Sequence, residues 1–388
     1  MIRHNRILLG KILLLLILLV SGLAAGGCVR VGARQLGWSG ATIADGSLFI
    51  GSLGKLVALN TSDGKPLSDK WPQTIETEGS SGGFGCSVPA SAVAIYGNTA
   101  VAGELVYVGG YNGKVYAYSS DLGALRWVYP REGNLQSIVG GLLVDQDRLY
   151  FGSAGGIVYA LDAATGDFVW EFETGDKIWS TPAIDGNTLF IGSFDKKLYA
   201  IDATTGQAKW DKPFEAQGPI ITTPLVYNNI VYIGSFDRHL YAIDATTGEL
   251  VWRFPANDEA EARPQKWFWA SPVVYNNIIY APNMDGNVYI LDAESGAMIN
   301  ALDLGSPISS SPTVANGKVI VATEEGKVYS IDTSNNQSLE LQDLGVRILA
   351  PLAASDGIIY VHTQEEETIY ALDVDTGVIL WDTPLASE

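Results

Sequence analysis

The chain has 388 residues, a formal net charge of −19, and 47% apolar against 17% charged residues. That apolar share excludes a disordered chain and a coiled coil. The excess of 43 acids over 24 Lys plus Arg excludes a reader of phosphate backbones, so no nucleic-acid partner is expected.

The N-terminus comes first. Arg3, Arg6 and Lys11 precede the apolar run Ile12–Val20, which is short for a membrane span and suited to a signal-peptide core. Leu23-Ala24-Ala25-Gly26-Gly27-Cys28 then resembles a bacterial lipobox, which implies cleavage after residue 27 and lipidation of Cys28. The reading is a signal peptide over 1–27, a linker over 28–35 and a protein exported and held to the membrane by an N-terminal lipid anchor. An uncleaved signal anchor or ordinary secretion are the alternatives. With Cys28 acylated, Cys86 is the one remaining cysteine, so no intrachain disulfide is expected.

Eight copies of one motif follow. Tyr159–Trp170, Tyr199–Trp210, Tyr241–Trp252 and Tyr370–Trp381 are near identical; Val57–Gly64, Tyr116–Trp127, Tyr289–Asn300 and Tyr329–Asn336 are weaker copies. Each unit carries a lead such as Trp179–Asp185, a run such as Leu189–Ser193, a tight turn, a Tyr-Ala-Ile-Asp strand, a Thr-Thr-Gly turn and a strand ending in Trp. That is four short strands per unit. One such sheet cannot bury both faces, whereas a ring of them can. The fold expected is all-β: an eight-bladed β-propeller of four-stranded antiparallel blades over residues 36–388.

Trp127, Trp170, Trp210, Trp252 and Trp381 recur at one slot. Large rings on outer strands beside small residues read as wedges between blades rather than as a binding site. The aspartates that precede the turns, such as Asp162 and Asp202, read as acceptors of turn N–H groups.

The pattern Ala-x-Asp-x-x-Thr-Gly-x-x-x-Trp, complete at Ala160–Trp170, Ala200–Trp210, Ala242–Trp252 and Ala371–Trp381, resembles the tryptophan-docking motif of the quinoprotein (PQQ-type) propeller superfamily. Size, lipobox and the lack of extra domains make the chain most similar to the BamB-like envelope lipoproteins of that superfamily. The resemblance implies a non-enzymatic propeller that scaffolds outer-membrane protein assembly. The alternatives are a PQQ-dependent dehydrogenase relative and an extracytoplasmic ligand-binding or sensor propeller. Against the enzyme, the chain has no vicinal Cys-Cys pair, no Cys-x-x-Cys-His and no His cluster for zinc. His239 aligns with turn residue Lys197 and His362 with strand-end Gly192, and a lone turn histidine is expected in solvent. No catalytic residue, cofactor or metal is expected.

A partner site is expected where loop length varies. Strands running outward place the B–C turns and D-to-A crossovers on one face. The long crossovers are Pro72–Gly85 and Pro255–Phe268, with a further expansion at Ile95–Glu104. Counting three places back from a shared proline gives Cys86, Trp179, Ile221, Trp269, Ser309 and Ile348, with Trp38 in the first repeat. Trp38, Trp179 and Trp269 are thereby placed around the channel mouth, with Trp267 and Phe268 on an adjoining loop and Asp258, Glu259 and Glu261 on the rim. An apolar mouth of this kind suits an extended peptide or a loop of an envelope protein. The competing reading is that these rings only plug the channel. A monomeric ring is expected.

Overall fold

The computed structural model describes residues 37–75, 92–257 and 263–385. The signal peptide, the linker with Cys28, and Cys86, Asp258, Glu259 and Glu261 lie outside the described residues.

Strands B and C of each unit are near-continuous apolar runs because they are buried on both faces. Leu189–Ile191 and Leu240–Ile243 are examples, all at or below 4% exposure. Asn228-Asn229 and Asn276-Asn277 close A–B hairpins with both residues at positive φ, the geometry a two-residue hairpin loop needs. The described residues therefore form eight antiparallel sheets of four strands in order A-B-C-D. They span 42–74, 100–129, 143–173, 183–215, 225–254, 273–303, 313–343 and 353–384, and are called blades 1 to 8. Strand D shrinks to two residues in blades 1 and 4, at Gln73–Thr74 and Phe214–Glu215.

The core is divided. Eight apolar clusters lie one at each blade interface, such as Trp170 and Ile178 with Leu189 and Ile201 between blades 3 and 4. The last cluster joins Leu48 and Ile50 of blade 1 to Tyr360 and Ile369 of blade 8, so the ring closes without a shared strand.

Each docking tryptophan reaches across to the next blade. Trp127 Nε1 donates to Ala163 O at 3.1 Å, Trp170 to Ala203 O at 3.0 Å, Trp210 to Ala245 O at 3.1 Å and Trp252 to Ala293 O at 3.1 Å. Trp381 closes the ring by donating to Thr61 O at 3.0 Å. Where blade 6 has Asn300 instead, its amide donates to Asn336 O at 3.3 Å, a polar substitute with far less buried area.

The C–D turn aspartates accept the bonds expected of them. Asp202 Oδ1, for instance, accepts from the N–H groups of Thr204 and Thr205 and from Thr205 Oγ1. The Thr165 N–H holds the Asp162 carboxyl below its ordinary 3.8, the Thr205 N–H does so for Asp202, and the Ser295 hydroxyl for Asp292. A carboxyl lowered by folding contributes stability that is complete above its unfolded value and is lost as pH falls through its folded value. Burial has the opposite effect at the phenols, pushing Tyr107, Tyr150 and Tyr232 up to about 12. Their contribution is complete below 10 and is lost as pH rises through 12. The melting temperature is expected to be flat between about pH 5 and 9, and to fall on both sides, below about 4 and above about 10. A midpoint that does not move on acidification from pH 5 to about 3 contradicts the turn assignment.

Candidate functional site

The lead residue of a blade is the fourth before strand A. From the strand starts these are Trp38, Tyr96, Val139, Trp179, Ile221, Trp269, Ser309 and Leu349. Two of the sequence-derived leads are corrected. Strand A of blade 2 is Ala100–Ala102, so its lead is Tyr96 and not Cys86. Ile95–Glu104 is thus a regular lead and hairpin rather than an expansion, and the extra length lies upstream of it. Strand A of blade 8 begins at Ala353, so its lead is Leu349, and Ile348 is fully buried. Proline misled in both cases because it is not required at that slot: blades 1, 2, 3 and 8 carry Ala41, Thr99, Leu142 and Leu352 there.

The structure joins the leads through the B–C turns into one aromatic chain. Tyr111 meets Tyr96 at 5.3 Å between ring centroids, Tyr96 meets Trp38 at 4.4 Å, and Trp38 meets Trp269 at 6.4 Å. Blades 7 and 8 separate blade 6 from blade 1 around the ring, so the Trp38–Trp269 contact crosses the mouth. Phe236 stacks on Trp269 at 5.9 Å and also meets Trp267 at 5.8 Å and Phe194 at 6.3 Å. Trp179 ends the chain against Phe194 at 4.8 Å. Such rings hold one another at fixed tilt and lose little freedom when covered. Tyr111 and Trp267 are 46% and 40% exposed, so the belt is open to an incoming surface.

Phe268 is a correction. It is 1% exposed and packs with Tyr289 in the interface of blades 5 and 6, so it is core and not mouth. The alternation of a loop dipeptide between inside and outside explains the split between Trp267 and Phe268. The turn histidine is corrected too: His239 is 7% exposed, while His362 ends strand B of blade 8, the position its alignment with Gly192 gives. His239 Nδ1 faces Asp237 Oδ1 at 3.2 Å.

A second repeated device mounts the belt. In the B–C turns, Asp195, Asp237 and Asp285 each accept from the tyrosine four residues on, at 2.5, 2.8 and 2.8 Å. Each also accepts a backbone N–H from the crossover before its own blade: Gly175, Gln217 and Gln265. Burial works to raise Asp237, but hydrogen bonds from His239, Tyr241 and the Gln217 N–H leave it lowered. Burial likewise raises Tyr199, Tyr241 and Tyr289 above the ordinary phenol value. The loops that carry Trp179, Phe236 and Trp269 are thereby fixed to rigid turns. The signal for this was legible as Asp-x-x-x-Tyr after the B strand, at Asp195–Tyr199, Asp237–Tyr241 and Asp285–Tyr289.

Charge is uneven around the mouth. In a chain of net charge −19, Lys196, Arg238 and Lys266 are exposed on blades 4 to 6 and make no ion pair among the described residues. Lys177 Nζ lies 4.3 Å from the Phe194 centroid and 5.5 Å from that of Trp179, a cation–π contact. Lys196 and Arg238 sit at φ +74° and +73°, where blades 2, 3, 6 and 7 have Gly113, Gly156, Gly286 and Gly326. A side chain at such a backbone angle costs about 1 kcal/mol or more, so these two cations are held in place against local preference.

The eight leads do not fit pyrroloquinoline quinone. That cofactor is a tricarboxylate, and none of the eight is cationic, while the Trp38–Trp269 contact crosses the space between them. Among the described residues no group of three or more His, Cys, Asp or Glu is placed to hold a metal ion.

The family of the outer membrane protein assembly factor BamB matches residues 27–173 and 154–383. BamB from Moraxella catarrhalis is similar in structure, with TM-score 0.66 and 19% identity over 86% of this chain and 95% of that one. The computationally designed Ika8 protein is similar too, with TM-score 0.66 and 21% identity over 75% of this chain and 87% of that one. At these identities the two structures bear on the fold alone. No curated protein matches the sequence.

Proposed function

The chain belongs to the family of the outer membrane protein assembly factor BamB, and from that premise we propose that it is a non-enzymatic, lipid-anchored scaffold of the cell envelope that docks another envelope protein against its channel mouth. The supporting observation is the aromatic belt from Tyr111 to Trp179, rigidly mounted and open at Trp267. Aromatic residues and arginine are enriched at protein-binding centres. Lys196, Arg238 and Lys266 favour a partner segment that carries acids next to its apolar side chains.

The test is a Trp179→Ala/Trp269→Ala double variant. It is expected to keep the circular dichroism of the native ring and to lose at least about tenfold in partner retention from solubilised envelopes. Undiminished retention by a folded double variant contradicts the site.

The anchor rests on Cys28, the only residue of the leader motif able to carry a thioether-linked lipid. Cys28→Ala is expected to move the protein from the membrane pellet to the soluble extract and to abolish labelling by a radioactive fatty acid. Labelling that persists in Cys28→Ala contradicts the anchor.

A further inference from the structure

At most blade interfaces the channel-side joint is an apolar plug. At four of them a glycine stands at the end of strand B, and the next blade presses an isoleucine into the space a Cβ would need. A Cβ on Gly152 would lie 2.2 Å from Ile178, and one on Gly192 would lie 2.4 Å from Ile220. At the seam between blades 8 and 1 both residues change. His362 stands in the glycine slot at the end of strand B of blade 8, and Gly37 stands in the isoleucine slot of blade 1. Gly37 can carry no side chain there, because its Cβ would fall 1.8 Å from Ile95 O.

The imidazole fills the joint instead. His362 Nδ1 faces Ser39 O at 2.8 Å, an acceptor only, so Nδ1–H donates. Its Nε2 faces Glu367 Oε2 at 3.1 Å, and Ser52 Oγ donates to that same oxygen. Ser39, Ser52, His362 and Glu367 are all at or below 2% exposure. Glu367 Oε1 has no partner among the described residues, so the carboxylate depends on the His362 and Ser52 side. Two of these residues come from the first blade and two from the last.

We infer that the buried His362–Glu367–Ser52 cluster is a register key, which makes blade 8 close on blade 1 rather than on any other blade. The docking tryptophans make only part of that choice: they tell blade 8 from blade 7, which has Leu339 in the slot, but not one acceptor blade from another. Trp381 donates to its acceptor at 3.0 Å and the four others donate at 3.0 to 3.1 Å, one geometry repeated at five joints. One out-of-register closure is therefore a close competitor: blade 8 on blade 2 with blade 1 left out. In it the His362 ring meets Ile95, which elsewhere packs into the space of Gly51. Glu367 also loses its Ser52 partner there, and a buried carboxylate stripped of partners is strongly unfavourable. A buried polar group that fixes register at some cost in stability is the best-attested use of such groups.

The experiment is hydrogen exchange followed by mass spectrometry on full-length His362→Gly and Glu367→Gln after refolding. The first restores the ring's ordinary residue; the second keeps the side-chain shape and decides the matter if the first does not fold. The wild type is expected to give one population throughout. Both variants are expected to give two populations in peptides from blades 1 and 8, the second exchanging at least about tenfold faster. Blades 3 to 6 are expected to match the wild type. A single, wild-type-like population at blades 1 and 8, or a loosening spread evenly over all eight blades, overturns the key.

Discussion

Trp210→Ala is expected to cost the propeller about 3–5 kcal/mol, the range for truncating a large buried aromatic. Trp210 is 5% exposed and packs with Phe190, Ile233 and Ile243 between blades 4 and 5. Its Nε1–H spans the joint to Ala245 O at 3.1 Å. Truncation removes the apolar contact, leaves a cavity that the rigid sheets cannot collapse around, and strips a buried carbonyl of its donor. Urea unfolding followed by intrinsic fluorescence and circular dichroism measures the loss. Trp267→Ala is the control: at 40% exposure it is expected to change stability by no more than about 0.5 kcal/mol. Equal effects of the two substitutions would falsify the distinction between joint and mouth tryptophans.

Gly248→Ala is expected to be nearly as costly, and its cost is expected to depend on Trp210. Gly248 sits at φ +77° and lies beneath the Trp210 ring, where a Cβ would fall only 2.7 Å from Cδ2. The left-handed backbone alone accounts for about 1–2 kcal/mol against alanine. Forcing the indole from its slot adds about 1–3 kcal/mol. In a Trp210→Ala background only the backbone part remains, so the double-mutant cycle is expected to show coupling of at least about 1 kcal/mol. Strict additivity contradicts the stacked geometry. The same pairing explains the whole motif: the turn glycine of one blade and the tryptophan of the blade before it are a single contact, seen at Gly166–Trp127, Gly206–Trp170 and Gly296–Trp252.

That contact is why the fold was legible. Asp-x-x-Thr-Gly-x-x-x-Trp encodes a turn, its cap and its inter-blade wedge in one short string, and four complete with four weaker copies leave a ring as the way to bury both faces of every sheet. The site was legible in part. Trp38, Trp179 and Trp269 occupy lead positions as read from the sequence, whereas Tyr96 was hidden because blade 2 has Thr99 where blades 4 to 7 have proline, and Pro89 upstream drew the alignment away. Phe194 and Phe236 were hidden because a turn has no side-chain period to read, and it is the pinned Asp195 and Asp237 turns that bring these rings against Trp179 and Trp269. The contacts of His362 were hidden for a related reason. It aligns with a glycine, but the space that glycine yields to an isoleucine elsewhere is yielded here by Gly37, 325 places earlier in the chain.

The mouth as a docking surface is tested most directly by site-specific photo-crosslinking in living cells, with a benzophenone amino acid placed at Trp267 or at Leu339. Leu339 is 63% exposed on the outer edge of blade 7, away from the belt. The expected result is a discrete adduct with one envelope protein from position 267, lost in the Trp179→Ala/Trp269→Ala background, and none from 339. The contradictory result is no adduct at 267, or the same adducts from both positions.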